Sequence, residues 1–182
     1  MRRWLLLWGA LLAAAFSGRM YTTDVVAQYQ VAGSLVGQRP FLTAEDGWVV
    51  EGKDGRGYVP HGPGYSILLV PAAAAGALIS SGAGKVATGS LNVLWSLILM
   101  ACWMELARRR FGRDFSPARM VALGLGAMLL VYGRMPYDVT AAAAAVLAAL
   151  LLQERGEDGW AGALLGLALL IRVDCVLALP AF

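Results

Sequence analysis

Leu91-Asn92-Val93-Leu94-Trp95 and Leu97-Ile98-Leu99-Met100 sit inside an apolar run, residues 87–107, whose only charged side chain is Glu105. A helix needs about 20 such residues to cross a bilayer. The run closes on Arg108, Arg109 and Arg110, with Arg113 and Arg119 close behind. A convincing span followed by a basic cluster makes this chain a membrane protein and gives it an orientation, because basic residues beside spans collect on the cytoplasmic side.

Composition agrees. Of the 182 residues, 59% are hydrophobic and 15% are charged, against about 45–50% and about 25% in a soluble domain. A disordered chain would be poor in apolar residues, and a soluble domain of this composition would lack polar residues to cover its surface. The net charge of +3 is small, and the basic residues form no stripe interleaved with aromatics, which gives nucleic-acid binding little support. Cys102 and Cys175 lie in apolar runs without a CxxC partner, which argues against a disulfide framework or a zinc site.

Outward from the central span, residues 118–133 read as another span. Gly133-Arg134-Met135-Pro136-Tyr137-Asp138 reads as a short turn, and residues 139–152 as the next span. After the polar turn Gln153–Asp158, the last apolar run extends from Gly159 to Phe182. On the other side, Arg2 and Arg3 precede an apolar run from Trp4 to Phe16. This fits a first span or signal anchor over residues 1–18, and equally a signal peptide cut near Ala13-Ala14-Ala15. Residues 64–82 are apolar but broken by Pro71. If they crossed the bilayer, the arginines of 108–119 would lie outside. If they lie along the outer interface, Arg2, Arg3, the 108–119 cluster and Arg155 are all cytoplasmic. The second arrangement is the expectation. It is an all-α, polytopic transmembrane helix bundle in the inner (plasma) membrane with a cytoplasmic N-terminus. An extracytoplasmic loop over 19–86 carries amphipathic helices and a short hairpin, and four further spans fill 87–182. The apolar run at Leu177–Phe182 has no polar flank, so the chain is expected to be the N-terminal part of a longer protein.

Chemistry concentrates in the outer segment. Tyr21-Thr22-Thr23-Asp24 opens a helix, since Thr and Asp cap helices well. Val25, Tyr29, Ala32 and Val36 then recur at helical spacing and predict an amphipathic helix on the membrane surface. Gly37 and Pro40 end it. Trp48-Val49-Val50 and Gly57-Tyr58-Val59 flank a turn at Gly52-Lys53-Asp54-Gly55 and predict a hairpin. His61-Gly62-Pro63-Gly64-Tyr65 leads into the next apolar helix.

This order of features resembles the first extracytoplasmic loop of bacterial GT-C glycosyltransferases, family 39 and the aminoarabinose and protein-mannosyl transferases. The carriers are the Thr-Asp helix and Gly-Lys-Asp-Gly-Arg-Gly-Tyr-Val-Pro-His-Gly-Pro-Gly-Tyr. Ser90-Leu91-Asn92, Glu105-Leu106-Ala107-Arg108-Arg109-Arg110, Pro136-Tyr137-Asp138 and Leu170-Ile171-Arg172 complete the pattern. The resemblance implies transfer of a sugar from a polyprenyl-phosphate donor to an acceptor on the outer face. The family's first-loop Asp falls on Asp24, as general base or acceptor anchor, a role suited to a carboxylate. Its second acidic position falls on Asp138. His61 and Arg172 fall where the donor phosphate is held, and Tyr65 joins them as a substrate-binding residue. His-Gly-Pro-Gly lacks the doubled proline of some relatives. No cofactor is indicated by the residues, and relatives differ in metal dependence.

Plainer readings stand beside these. Asp24 caps a helix, and Asp138 favours the N-terminal dipole of the next span. Arg172 snorkels outward or pairs with Asp174, although residues two apart on a helix do not face each other. Glu45-Asp46, beside Gly47, reads as a turn rather than a metal pair. Asn92 reads as a helix–helix hydrogen bond. A transporter or channel subunit, with Arg172, Asp174 and Glu105 lining a pathway, and a non-enzymatic membrane assembly protein are the alternative functions.

Overall fold

The computed structural model describes residues 1–16, 23–37, 49–126 and 129–181, and they are mostly helical. The elements in chain order are α1 (Arg2–Ala15), α2 (Thr23–Leu35), β1 (Val50–Glu51), β2 (Gly57–Tyr58), α3 (Pro63–Leu68) and α4 (Val70–Leu78). Then follow α5 (Ser81–Phe111), α6 (Pro117–Gly126), α7 (Leu129–Arg134), α8 (Asp138–Gln153) and α9 (Asp158–Ile171), with 3-10 turns at Gly112–Asp114 and Val173–Ala181.

The organising element is α5. Ser80 starts it, its hydroxyl accepting from the Ala83 amide at 3.1 Å, the role Ser plays at helix starts. Gly112 ends it with φ +54°, a conformation that favours glycine. Its 31 residues make about 46 Å of helix. Among the described residues it is the one helix long and apolar enough to cross a membrane, and only 33% of its most apolar window is buried within the chain. Most of the rest of that window is half-buried. Because α5 begins at Ser81, the boundary expected at 86/87 falls inside it.

The other helices stand beside α5 at two levels. Near its arginine-rich end, Trp8 and Leu12 of α1 pack with Met100 and Met104 of α5 and Met120 and Val121 of α6. The Trp8 indole N–H donates to Ser96 Oγ at 3.2 Å. The segment that also fits a cleavable leader thus packs on α5 and α6 through Trp8 and Leu12, its two buried residues. At this end Arg108 and Arg109 pair with Glu105 at 2.7 and 2.9 Å, and Arg110 pairs with Glu154 at 2.8 Å. The last of these ties α5 to the turn after α8. Ala141, Ala142, Ala144, Ala145 and Ala149 of α8 are buried, and small side chains let helices approach closely.

Around Asn92, α5 meets the turn before α8. The Asn92 amide donates to the carbonyls of Tyr132 at 2.6 Å, Gly133 at 3.3 Å, and Met135. Asn92 is fully buried, and the expected helix–helix hydrogen bond takes this form. Beyond this level, α4 doubles back antiparallel along the first third of α5. Gly76 lies against Gly84, and Pro71 and Ala72 lie beside Leu91 and Leu94. Residues 63–79 therefore stay at the Asn92 end and never approach the arginines. The break at Leu69, between α3 and α4, falls just before Pro71.

Several expectations need correction. The last apolar run is not one helix. It stops at Ile171, where Arg172 is extended (φ −144°, ψ 118°), and continues as the 3-10 turn. The 118–133 run appears as α6 and α7, with residues 127 and 128 outside the description. The buried face of α2, including Val25 and Ala32, packs on α3 and α4 rather than lying free as a membrane-facing stripe. The hairpin pairs Val50 with Tyr58 and Glu51 with Gly57, and Gly55 turns it with φ +74°. Trp48, Glu45 and Asp46 lie outside the described residues.

Replacing Asn92 with Leu keeps the shape and removes the donor from the Gly133 and Met135 carbonyls, while Tyr132 keeps the Thr140 hydroxyl. The expected loss is about 1–3 kcal/mol, read as a lower unfolding temperature in detergent. A variant as stable as the parent would show that Asn92 does not hold this junction.

Candidate functional site

At the Asn92 end of the bundle, four elements bring their polar side chains together. The first is the start of α8. Asp138 occupies its first turn, where an acid favours the helix dipole, but its carboxylate does not cap the helix. It reaches sideways. Asp138 Oδ1 lies 3.3 Å from the Arg172 guanidinium, and Oδ2 accepts from Gln28 Nε2 at 3.4 Å. Asp138 is 7% exposed, and a carboxylate that far from water requires partners of this kind.

The end of α9 supplies the cation. Arg172 also pairs with Asp174 at 2.9 Å. Residues two apart on a helix cannot pair this way. They do here because the helix has ended at Ile171 and the backbone at Arg172 is extended. The guanidinium thus joins a buried carboxylate to an exposed one and keeps about a third of its own surface open, at 34%.

The third contributor is α2. Gln28 is 1% exposed, and Asp24 lies one turn earlier on the same helix face, about 6 Å along the axis. Asp24 is open to solvent, with 57% of its side chain exposed. Its carboxylate stands 3.4 Å from His61 Nε2.

The fourth is the His61–Tyr65 turn. Its glycines answer to packing. A Cβ on Gly62 would collide with the Leu170 carbonyl oxygen, and one on Gly64 would sit 2.7 Å from the Ile171 nitrogen. Glycine at both positions lets the turn press directly on the end of α9, which sets His61 and Arg172 on adjoining segments. Tyr65 is a core residue, 1% exposed and packed in a cluster with Leu69, Ala141 and Ile171. Its ring is closed to a substrate, in contrast to the substrate-binding role expected for it. Burial, and then the charge of Asp138, push its phenol upward, so it stays a protonated donor beside that carboxylate. The Tyr65 hydroxyl and the Gln28 side-chain oxygen are buried without a hydrogen-bond partner among the described residues.

Asp24, His61, Asp138 and Arg172 therefore share one end of the molecule, as the Asp138–Arg172 ion pair and the Asp24–His61 contact, with Gln28 bound to Asp138 on the same helix as Asp24. Gln28 is a member that the sequence reading did not select, and Asp174 enters that reading only as a partner for Arg172 and in the transporter alternative. Gln28 lies four residues after Asp24, so helical spacing alone could have placed it on the same face. No group of three or more His, Cys, Asp or Glu among the described residues could hold a metal ion.

No family model, curated protein or solved structure matches the chain. Function is read from the residues themselves.

Arg172→Gln leaves the Asp138 carboxylate buried without its cation and lowers stability. Adding Asp138→Asn removes the stranded charge and recovers most of the loss. A double-mutant cycle of unfolding in detergent is expected to give a coupling of about 1–3 kcal/mol. Strict additivity would show that the pair makes no net contact.

Proposed function

We propose that the chain belongs to an integral membrane glycosyltransferase of the GT-C type, which moves a sugar from a polyprenyl-phosphate donor to an acceptor on the extracytoplasmic face. The observation that carries the reading is the meeting of Asp24, His61, Asp138 and Arg172 at the end of the bundle opposite the arginine cluster. The positive-inside bias puts Arg108–Arg110 in the cytoplasm, and with them the N-terminus, which shares that end. The polar site then lies at the outer membrane surface, where the phosphate of a lipid-linked sugar would sit. In this arrangement α5 crosses the bilayer, the shorter apolar helices α8 and α9 stand beside it within the membrane, and α2–α4 with the hairpin form the outer loop.

The chemistry follows from exposure and charge. Asp24, the open carboxylate, takes the proton of the acceptor hydroxyl. The acceptor oxygen bonds to the anomeric carbon while the bond from that carbon to the phosphate oxygen breaks, which inverts the centre. The departing polyprenyl phosphate carries the electron pair. The Arg172 guanidinium, held in place by Asp138 and Asp174, stabilises that charge. His61 steadies the Asp24 carboxylate and stands near the same phosphate. Asp138 supports the centre through Arg172 and Gln28 and does not meet the acceptor.

Asp24→Asn is expected to lower sugar transfer by about 10²–10⁴-fold without changing thermal stability. The assay follows radiolabelled sugar passing from a panel of polyprenyl-phosphate hexoses in membranes that carry the protein. Unchanged transfer by the variant would sink the catalytic assignment. Solute flux dependent on Arg172, with no transfer, would favour a transporter.

A further inference from the structure

A cavity of about 330 Å³ lies beside the site, between α2, the hairpin and the start of α3. Its volume is at the small end of the range for ligand sites, about 300–1,000 Å³, and suits one sugar ring with a substituent. Val31, Val59 and Pro63 give it an apolar wall, and Tyr58 adds an aromatic ring at the rim. Ser34, Arg56, His61 and Ser66 are polar members of its lining. Among the described residues of the lining, Arg56 carries a positive charge and none is a carboxylate.

The nearest carboxylates have other partners. Asp54 accepts from the Tyr58 hydroxyl at 2.9 Å and from the Arg56 backbone amide at 3.2 Å. That Tyr58 bond is the first reason its carboxyl titrates below the usual range. The closest approach of the Arg56 side chain to Asp54 is 3.6 Å, from Nε, with 71% of the Arg56 side chain exposed. Such an open contact is worth little. An exposed guanidinium can grip a phosphate or carboxylate with two hydrogen bonds. On the other wall, His61 turns one nitrogen to Asp24, so a ligand in the cavity lies next to the open carboxylate.

We propose that this cavity binds the acceptor, and that the acceptor presents a sugar-sized, hydroxyl-bearing unit carrying an anionic group, a phosphate or carboxylate, which Arg56 holds. The apolar wall and the Tyr58 ring take the carbon face of the ring, and His61 brings its hydroxyl toward Asp24. The cavity is walled by the hairpin and α2, so its ligand arrives from the aqueous side, while a lipid-linked donor arrives along the bundle toward Arg172. Calling the ligand the acceptor rests on the transferase reading; the binding itself does not.

The test is ligand-observed NMR on the full chain in nanodiscs, with glucose 6-phosphate, glucose and inorganic phosphate as probes and no donor present. Glucose 6-phosphate is expected to bind, and glucose and inorganic phosphate each to bind about tenfold more weakly or worse. Arg56→Gln, an exposed change that spares the fold, should remove the advantage of the phosphate. Val31→Trp, which fills the cavity, should abolish binding of all three. Glucose 6-phosphate binding no tighter than glucose, or unaltered by Arg56→Gln, would overturn the proposal, as would inorganic phosphate binding equally well. Binding is read without turnover. Intact binding with no transfer would count against the transferase reading alone, and transfer without Arg56-dependent binding would count against the cavity alone.

Discussion

A carboxylate buried at a helix start has to be matched by a cation, and at Asp138 that requirement shapes one end of the molecule. Taking an ionised carboxylate out of water costs several kcal/mol unless a charge and hydrogen bonds replace the water. Arg172 supplies the charge, and it reaches Asp138 from the point where α9 has stopped being a helix. Gln28 supplies a hydrogen bond from α2, and the Gly62 and Gly64 turn seats His61 against the same helix end. The ion pair joins the start of α8 to the end of α9, and the two segments packed around it, α2 and the glycine turn, carry the open Asp24–His61 pair.

The far end of the bundle is built differently. There the charges are arginines satisfied by Glu105 and Glu154 near the surface, and the core beneath them is Trp8, Leu12 and methionines. Exposed pairs of that kind contribute little to stability. Their weight lies in the sign they give to that end, which sets orientation in a bilayer. The two ends therefore divide the labour: a basic rim at one, and at the other a closed polar network beside an open carboxylate.

Sequence reading reached the features governed by local rules. The Leu91–Met100 run, the arginines after it, the Asp54-Gly55 turn and the cross-helix role of Asn92 all follow from composition, spacing or turn chemistry, and each has a counterpart in the structure. What stayed hidden depends on distant partners. Gln28 meets Asp138 across 110 residues and looks like any polar residue on a helix. Pairing of Arg172 with Asp174 reads as awkward on a continuous helix, and nothing local marks the break at Ile171. Tyr65 looked like a substrate contact at the end of a glycine-proline motif. Its burial comes from α8 and α9, and so does the need for the glycines before it. The closeness of Asp24, Asp138, His61 and Arg172 is a property of the packed chain, and spacing along the sequence carried no measure of it.

All of this acquires a membrane meaning only if the two ends face opposite sides of the bilayer. Site-specific labelling tests that most directly. In a chain whose Cys102 and Cys175 are replaced by Ser, one cysteine is placed at Lys53 in the hairpin turn or at Phe111 beside the arginines. Intact cells are then treated with a membrane-impermeant maleimide. The account predicts labelling of Lys53→Cys in intact cells and of Phe111→Cys only after permeabilisation. Labelling of both from outside, or of Phe111→Cys alone, would contradict it and remove the outer-face site on which sugar transfer depends.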